Sequence, residues 1–214
     1  MEADALKSVG DELREHLARK HRAREEALAL SRDVIRFSAN GIRAVHRKDF
    51  AAAETLVEQA RSNLQKAEGA LSDHPDIYHA GFIHDCAKEF VEASCTLALI
   101  ARHPLPTPED LHVQAATYLN GLAETIGELR RYLLDSLREG DMDACERSLT
   151  LMGDIYDVLI TMDFPEAITA GLRRNTDAMR AILERTRGDF TTAYVQQQLR
   201  AKLEEFGQRS DLER

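Results

Sequence analysis

The chain has 214 residues, a formal charge of −9, 43% hydrophobic residues, 11 glycines, 5 prolines and no tryptophan. That length allows one sizeable core, so a single domain over residues 1–214 is the expectation, while the acidic balance argues against indiscriminate adhesion to nucleic acid. Three cysteines without a C-x-x-C pair argue against a disulfide framework or a zinc knuckle, and no apolar run reaches membrane-spanning length.

Scarce helix breakers and abundant Ala, Leu, Glu and Arg predict an all-α bundle of about seven helices with a long N-terminal one. An odd number of thiols and an N-terminus without the apolar stretch of a signal peptide fit a cytoplasmic protein. Charge is unevenly spread: residues 1 to 48 hold 11 Lys and Arg against 8 Asp and Glu, and the remainder holds 17 against 29. A local basic surface on an acidic body is therefore expected.

In the first helix, Leu6, Val9, Leu13 and Leu17, then Ala27, Leu30, Val34, Phe37, Gly41 and Ala44, follow helical spacing. Arg32, Arg36, Arg43 and Arg47 recur at intervals of 4, 7 and 4 and form a stripe roughly opposite that seam. Such a stripe suits either a phosphate-tracking surface or an ordinary solvated face. After Asp49-Phe50, a second helix carries Ala53, Leu56, Val57, Ala60, Leu64, Ala67 and Leu71 on one side and ends at Ser72-Asp73-His74-Pro75.

A third helix is predicted from about Ile77 to Arg102, with Cys86, Phe90, Ala93, Leu97 and Ile100 as its buried stripe. His103-Pro104-Leu105-Pro106-Thr107-Pro108 breaks the chain, and Thr107 then reads as an N-cap with proline at the first helical position. After an irregularity near His112, Leu119, Leu122, Ile126, Leu129 and Leu133 give a seam through to Glu139. Gly140-Asp141 turns into a fifth helix with Cys145, Leu149, Met152, Tyr156 and Leu159. A sixth is predicted from Pro165 to Arg187, ended by Gly188, and a seventh from about Asp189 with Val195, Leu199, Leu203 and Phe206.

Two helix faces carry paired carboxylates: Glu89 and Glu92, three apart, and Glu124 and Glu128, four apart. Like charges at those spacings cost stability unless a cation lies between them. Helices three and four running antiparallel as neighbours would bring the four together, an all-oxygen set of the kind that hard cations such as Mg²⁺ or Mn²⁺ prefer. The plain alternative is two solvated faces neutralised by Lys88 and Arg131. The dipeptide His84-Asp85, with His46 and Asp135 as further ligands, offers a weaker phosphohydrolase-like reading, and Glu109 with His112 is the sole Glu-x-x-His pair. No phosphate-binding glycine loop or serine-hydrolase elbow occurs.

Several stretches resemble the translin family, which includes translin and translin-associated factor X. They are Ser31-Arg32-Asp33-Val34-Ile35 with Ile42-Arg43-Ala44-Val45-His46-Arg47, then Lys88-Glu89-Phe90-Val91-Glu92-Ala93, then the run from Tyr118 to Leu129. Gly171-Leu172-Arg173-Arg174-Asn175-Thr176-Asp177 with Arg187-Gly188-Asp189 completes a likeness spanning residues of about 28 to 190 in order.

The resemblance implies a translin-like helical domain assembled into a closed hollow homo-oligomer, with single-stranded RNA or DNA bound inside. It implies a compact archaeal or bacterial relative of the factor X subunit, the family's Mg²⁺-dependent endoribonuclease, here acting alone. Carried over by residue, the metal and catalytic set is Glu89, Glu92, Glu124 and Glu128, with Glu124 standing where the family subunit has Asp. Phosphate contacts are expected from Arg32, Arg36, Arg43 and Arg47, then from Arg173 and Arg174. The competing readings are a translin-like single-strand binder without catalysis and a helical scaffold that touches no nucleic acid.

Overall fold

The computed structural model describes residues 2–212 and contains nine helices and no strand among them. Six are long: α1 Glu2–His46, α2 Phe50–Ala70, α4 Phe82–Ala101, α6 Ala115–Glu139, α7 Met142–Leu159 and α9 Leu172–Leu212. Three are single turns: α3 Pro75–Tyr78, α5 Pro108–Leu111 and α8 Glu166–Thr169. The expected all-α architecture with a long first helix is what the chain adopts. No described helix is long and apolar enough to cross a membrane.

The boundaries follow local chemistry. Lys48 takes a left-handed backbone (φ 62°) to reverse the chain after α1, and the Asp49 side chain then accepts from the Ala52 amide to cap α2. Gly81 (φ 103°) separates α3 from α4, so the third predicted helix begins five residues later than its apolar pattern suggested. The proline-rich break ends in a full capping box, with Thr107 and Asp110 bonding each other's backbone amides. Left-handed His112 (φ 55°) marks the irregularity before α6.

The sixth and seventh predicted helices are divided differently. Ala170 (φ 49°) and Gly171 (φ 95°) stop the short α8 after Pro165, and α9 then runs through Gly188 without interruption. An interior glycine costs only about 1 kcal/mol. Local bonds on either side offset it: Arg187 to Glu184 at 2.8 Å, and Thr192 Oγ1 to the Gly188 carbonyl at 3.0 Å.

Packing divides the chain into two compact units, with the division falling inside α6 after Gly121. In the first unit α1, α2 and α4 pack on one another, burying Val34, Val45, Leu64, Leu71, Phe90 and Val91. In the second, Ile126, Leu129, Leu133, Met152, Leu159, Leu172, Met179 and Leu183 are buried. Within it, α7 and α8 both pack against α9. Arg130 reaches Thr186 Oγ1 and Asp189, each at 2.7 Å, and so pins α6 to α9 on both sides of Gly188.

Two apolar stripes have the expected helical spacing but do not enter the core. Leu6, Val9, Leu13 and Leu17 on α1 are exposed, as are Val195, Leu199, Leu203 and Phe206 on α9. Leu6, Leu13, Leu17, Leu199 and Leu203 keep more than half of their surface exposed.

Candidate metal centre

The rotation of α4 is fixed by what it buries. Cys86, Phe90, Ala93 and Leu97 are sunk into the first unit, and the Arg61 guanidinium lies over the Phe90 ring at 5.3 Å. Glu89 and Glu92 are thereby held at the margin of that face, half-buried.

The start of α6 meets α4 at Gly121. A Cβ on Gly121 would lie 2.6 Å from the Val91 Cβ and 2.7 Å from the Lys88 carbonyl oxygen, so the two backbones nearly touch. One turn earlier on each helix, Thr117 Oγ1 is 2.9 Å from His84 Nδ1, and the neighbouring Tyr118 hydroxyl donates to the Pro106 carbonyl at 2.7 Å. Thr117 and Gly121 of α6 thus meet His84 and the Lys88 to Val91 turn of α4 in the same chain order, where the sequence had suggested an antiparallel pair.

Glu124 follows Gly121 by three residues on the same helix. Glu89, Glu92 and Glu124, all half-buried, each bring one carboxylate oxygen within 4.8 Å of the other two. Glu128 stands outside this group, one turn beyond, and its carboxylate lies 3.7 Å from the Arg131 guanidinium. Neither His84 and Asp85 nor Glu109 and His112 take part in another such cluster among the described residues.

Three carboxylates this close repel by roughly 3 kcal/mol per pair at an effective dielectric of about 20. A divalent cation relieves that repulsion. Oxygens bound at about 2.1 Å stand about 3.0 Å apart when adjacent and about 4.2 Å when opposite on the ion, so side-chain rotations that draw the three inward would complete the set. The donors are all hard oxygens, which suits Mg²⁺ or Mn²⁺ and not a thiolate-seeking metal. No cysteine belongs to the cluster: Cys86, Cys95 and Cys145 are free and buried, and burial pushes the Cys95 thiol up to about 12.

The arginines are placed as their spacing required. Arg32, Arg36 and Arg43 are exposed on α1, on the side away from the buried Val34, Ser38 and Val45, and Arg47 is exposed in the turn that follows it. Arg36 pairs with Asp33 at 2.7 Å and stacks over Phe37 at 4.7 Å, and Arg43 donates to the Asn40 side chain at 2.6 Å. Arg173 and Arg174 are exposed in the first turn of α9. Arg173 lines a cavity of about 600 Å³ with Tyr156, Phe164 and Arg180.

The sequence reading gave no role to Gly121, although its signal was present: a lone glycine inside an apolar helical run usually marks a close approach.

No protein-family model matches the chain. An uncharacterized protein of Methanocaldococcus jannaschii is 32% identical over 189 residues, covering 88% of this chain and 84% of that protein. Among solved structures, AfC3PO in complex with duplex RNA superposes with a TM-score of 0.80 at 35% identity, over 86% of this chain and 96% of that one. A second crystal structure of AfC3PO gives 0.79 at 36% identity, with the same coverage. Apo-NeC3PO shares the fold at 0.78 and 21% identity, also over 86% of this chain and 96% of that one.

Proposed function

The chain belongs to the translin family, and from that premise we propose that it binds single-stranded RNA, and single-stranded DNA alike, and hydrolyses RNA at the carboxylate cluster with Mg²⁺ or Mn²⁺. The observation that carries this reading is the convergence of Glu89, Glu92 and Glu124 within 4.8 Å. AfC3PO's complex with duplex RNA supports RNA as the ligand class.

Glu89, Glu92 and Glu124 would hold the ion, which when bound supplies Lewis-acid stabilisation of the phosphoryl oxygens and a more acidic water. Glu128, set apart from the three, is the carboxylate left to take the proton of the attacking water. The water oxygen bonds to phosphorus, the bridging P–O bond breaks, and the leaving oxygen departs as an alcohol by taking a proton from solvent water, while Glu128 returns its own to solvent. The Arg32, Arg36, Arg43 and Arg47 stripe gives an otherwise acidic chain its phosphate-facing surface, with Arg173 and Arg174 secondary.

We place this activity in one helical domain that assembles as a closed, hollow homo-oligomer in the cytoplasm. The uncovered leucine stripes of α1 and α9 support the assembly, and three free thiols support the compartment.

The test is Glu89→Ala with Glu92→Ala. Mg²⁺-dependent cleavage of single-stranded RNA should vanish, while binding stays intact or tightens because negative charge near phosphate has been removed. A double variant that cuts like the wild type removes the assignment. Binding with no cutting by the wild type under any metal, with and without EDTA, leaves the non-catalytic binder.

A further inference from the structure

Beyond the carboxylates, α6 carries a groove of about 480 Å³ lined by Gly127, Arg130, Arg131, Leu134, Asp135 and Arg138. These residues recur at helical spacing and continue the face that bears Glu124 and Glu128. We propose that this groove is an extension of the nucleic-acid site, in which Arg131 and Arg138 hold backbone phosphates of a strand leading away from Glu124. The proposal rests on RNA being the ligand of the carboxylate centre and adds where the strand goes next.

The three arginines are not equivalent. Arg130 is largely covered, and its guanidinium is consumed by Thr186 and Asp189. Arg131 and Arg138 keep 53% and 83% of their side chains exposed and make only loose pairs, at 3.7 Å to Glu128 and 3.2 Å to Asp135. Exposed pairs of this kind contribute little, whereas a guanidinium engages phosphate through two parallel, charge-assisted bonds. Exchange of the local carboxylate for a phosphate is therefore favourable. Arg131 and Arg138 lie 7 and 14 residues beyond Glu124, about 10 and 21 Å along the axis, so one strand can touch all three in turn.

Gly127 supplies an independent argument. A Cβ placed there meets nothing within 4 Å, so no packing explains a glycine in mid-helix. Its cost of about 1 kcal/mol relative to alanine leaves an open floor beside Glu124 and Glu128, where a backbone can approach closely.

The experiment is fluorescence anisotropy of a labelled single-stranded RNA in EDTA across a salt series. Arg131→Gln with Arg138→Gln should weaken binding about tenfold at low salt. It should also flatten the slope of log K against log salt by about 1.4, two contacts at about 0.7 each. Gly127→Leu, which favours the helix but fills the groove, should weaken binding several-fold and raise thermal stability. Arg187→Gln, an exposed arginine paired on α9, should leave the slope unchanged. An unaltered slope in the double arginine variant, with wild-type RNA binding intact, overturns the groove alone. Absence of RNA binding by the wild type overturns the proposed function and the groove with it.

Discussion

Gly121 and Val91 approach so closely that one added methyl group would sit 2.6 Å from the valine Cβ. This pair sets the separation of α4 and α6 and therefore how near Glu124 comes to Glu89 and Glu92. Gly121→Ala gains about 1 kcal/mol of helix propensity but overpacks a backbone contact, a change that typically costs about 1–3 kcal/mol. The expected net result is a lower urea midpoint and weaker Mn²⁺ binding by calorimetry. A more stable variant with undiminished ion affinity would show that this contact does not set the centre.

Substitutions at Glu124 separate charge from reach. Glu124→Asp keeps the carboxylate with an arm one methylene shorter, so Mn²⁺ affinity should stay within about tenfold. Glu124→Ala removes one of three converging oxygens and should abolish detectable binding in the same titration. Equal behaviour of the two variants would detach Glu124 from the ion.

Acidity provides a separate handle at Glu68. Burial raises its carboxyl above the usual carboxylate range, opposed by the hydrogen bond that Tyr78 donates at 3.2 Å. A raised folded-state value means that the favourable contribution is complete below about pH 4.5 and is lost as pH climbs through the shifted value. Glu68→Gln keeps an acceptor for Tyr78 without the buried charge. The variant and wild type should therefore have similar urea midpoints near pH 4, with the variant pulling ahead by pH 7. The reverse trend would mean that the carboxylate, once charged, is stabilised in place.

The α9 stripe offers a test of assembly. Leu199 and Leu203 are 58% and 62% exposed, in line with Val195 and Phe206. Leu199→Glu with Leu203→Glu leaves the core untouched, so helicity by circular dichroism should be retained while light scattering reports a smaller species. An unchanged mass would place the subunit contacts elsewhere.

Much of this organisation was legible in the residues. Thr107-Pro108 announced its N-cap and first helical residue, and Cys86, Phe90, Ala93 and Leu97 announced the buried face of α4, because both signals are local. Gly188 misled because a glycine ends a helix only when no neighbouring bonds hold the next turn, and those bonds include long-range ones from Arg130. The paired glutamates were visible as pairs, but which of the four converge depends on how α6 sits against α4, a tertiary quantity that spacing does not encode. The leucines of α1 and α9 show the same limit: a pattern marks which face seeks cover and is silent on what provides it.

The 45-residue α1 is unbroken from Glu2 to His46, about 67 Å at 1.5 Å per residue. Its free leucines, its embedded half and its arginine row are therefore locked in phase along one rod. Inserting a single residue near Arg22 would swing Leu6, Val9, Leu13 and Leu17 by about 100° relative to Arg32 and Arg43, whereas inserting seven would return them almost to register. Whatever grips the free end of the rod is indexed, by rotation alone, to the arginines at the other.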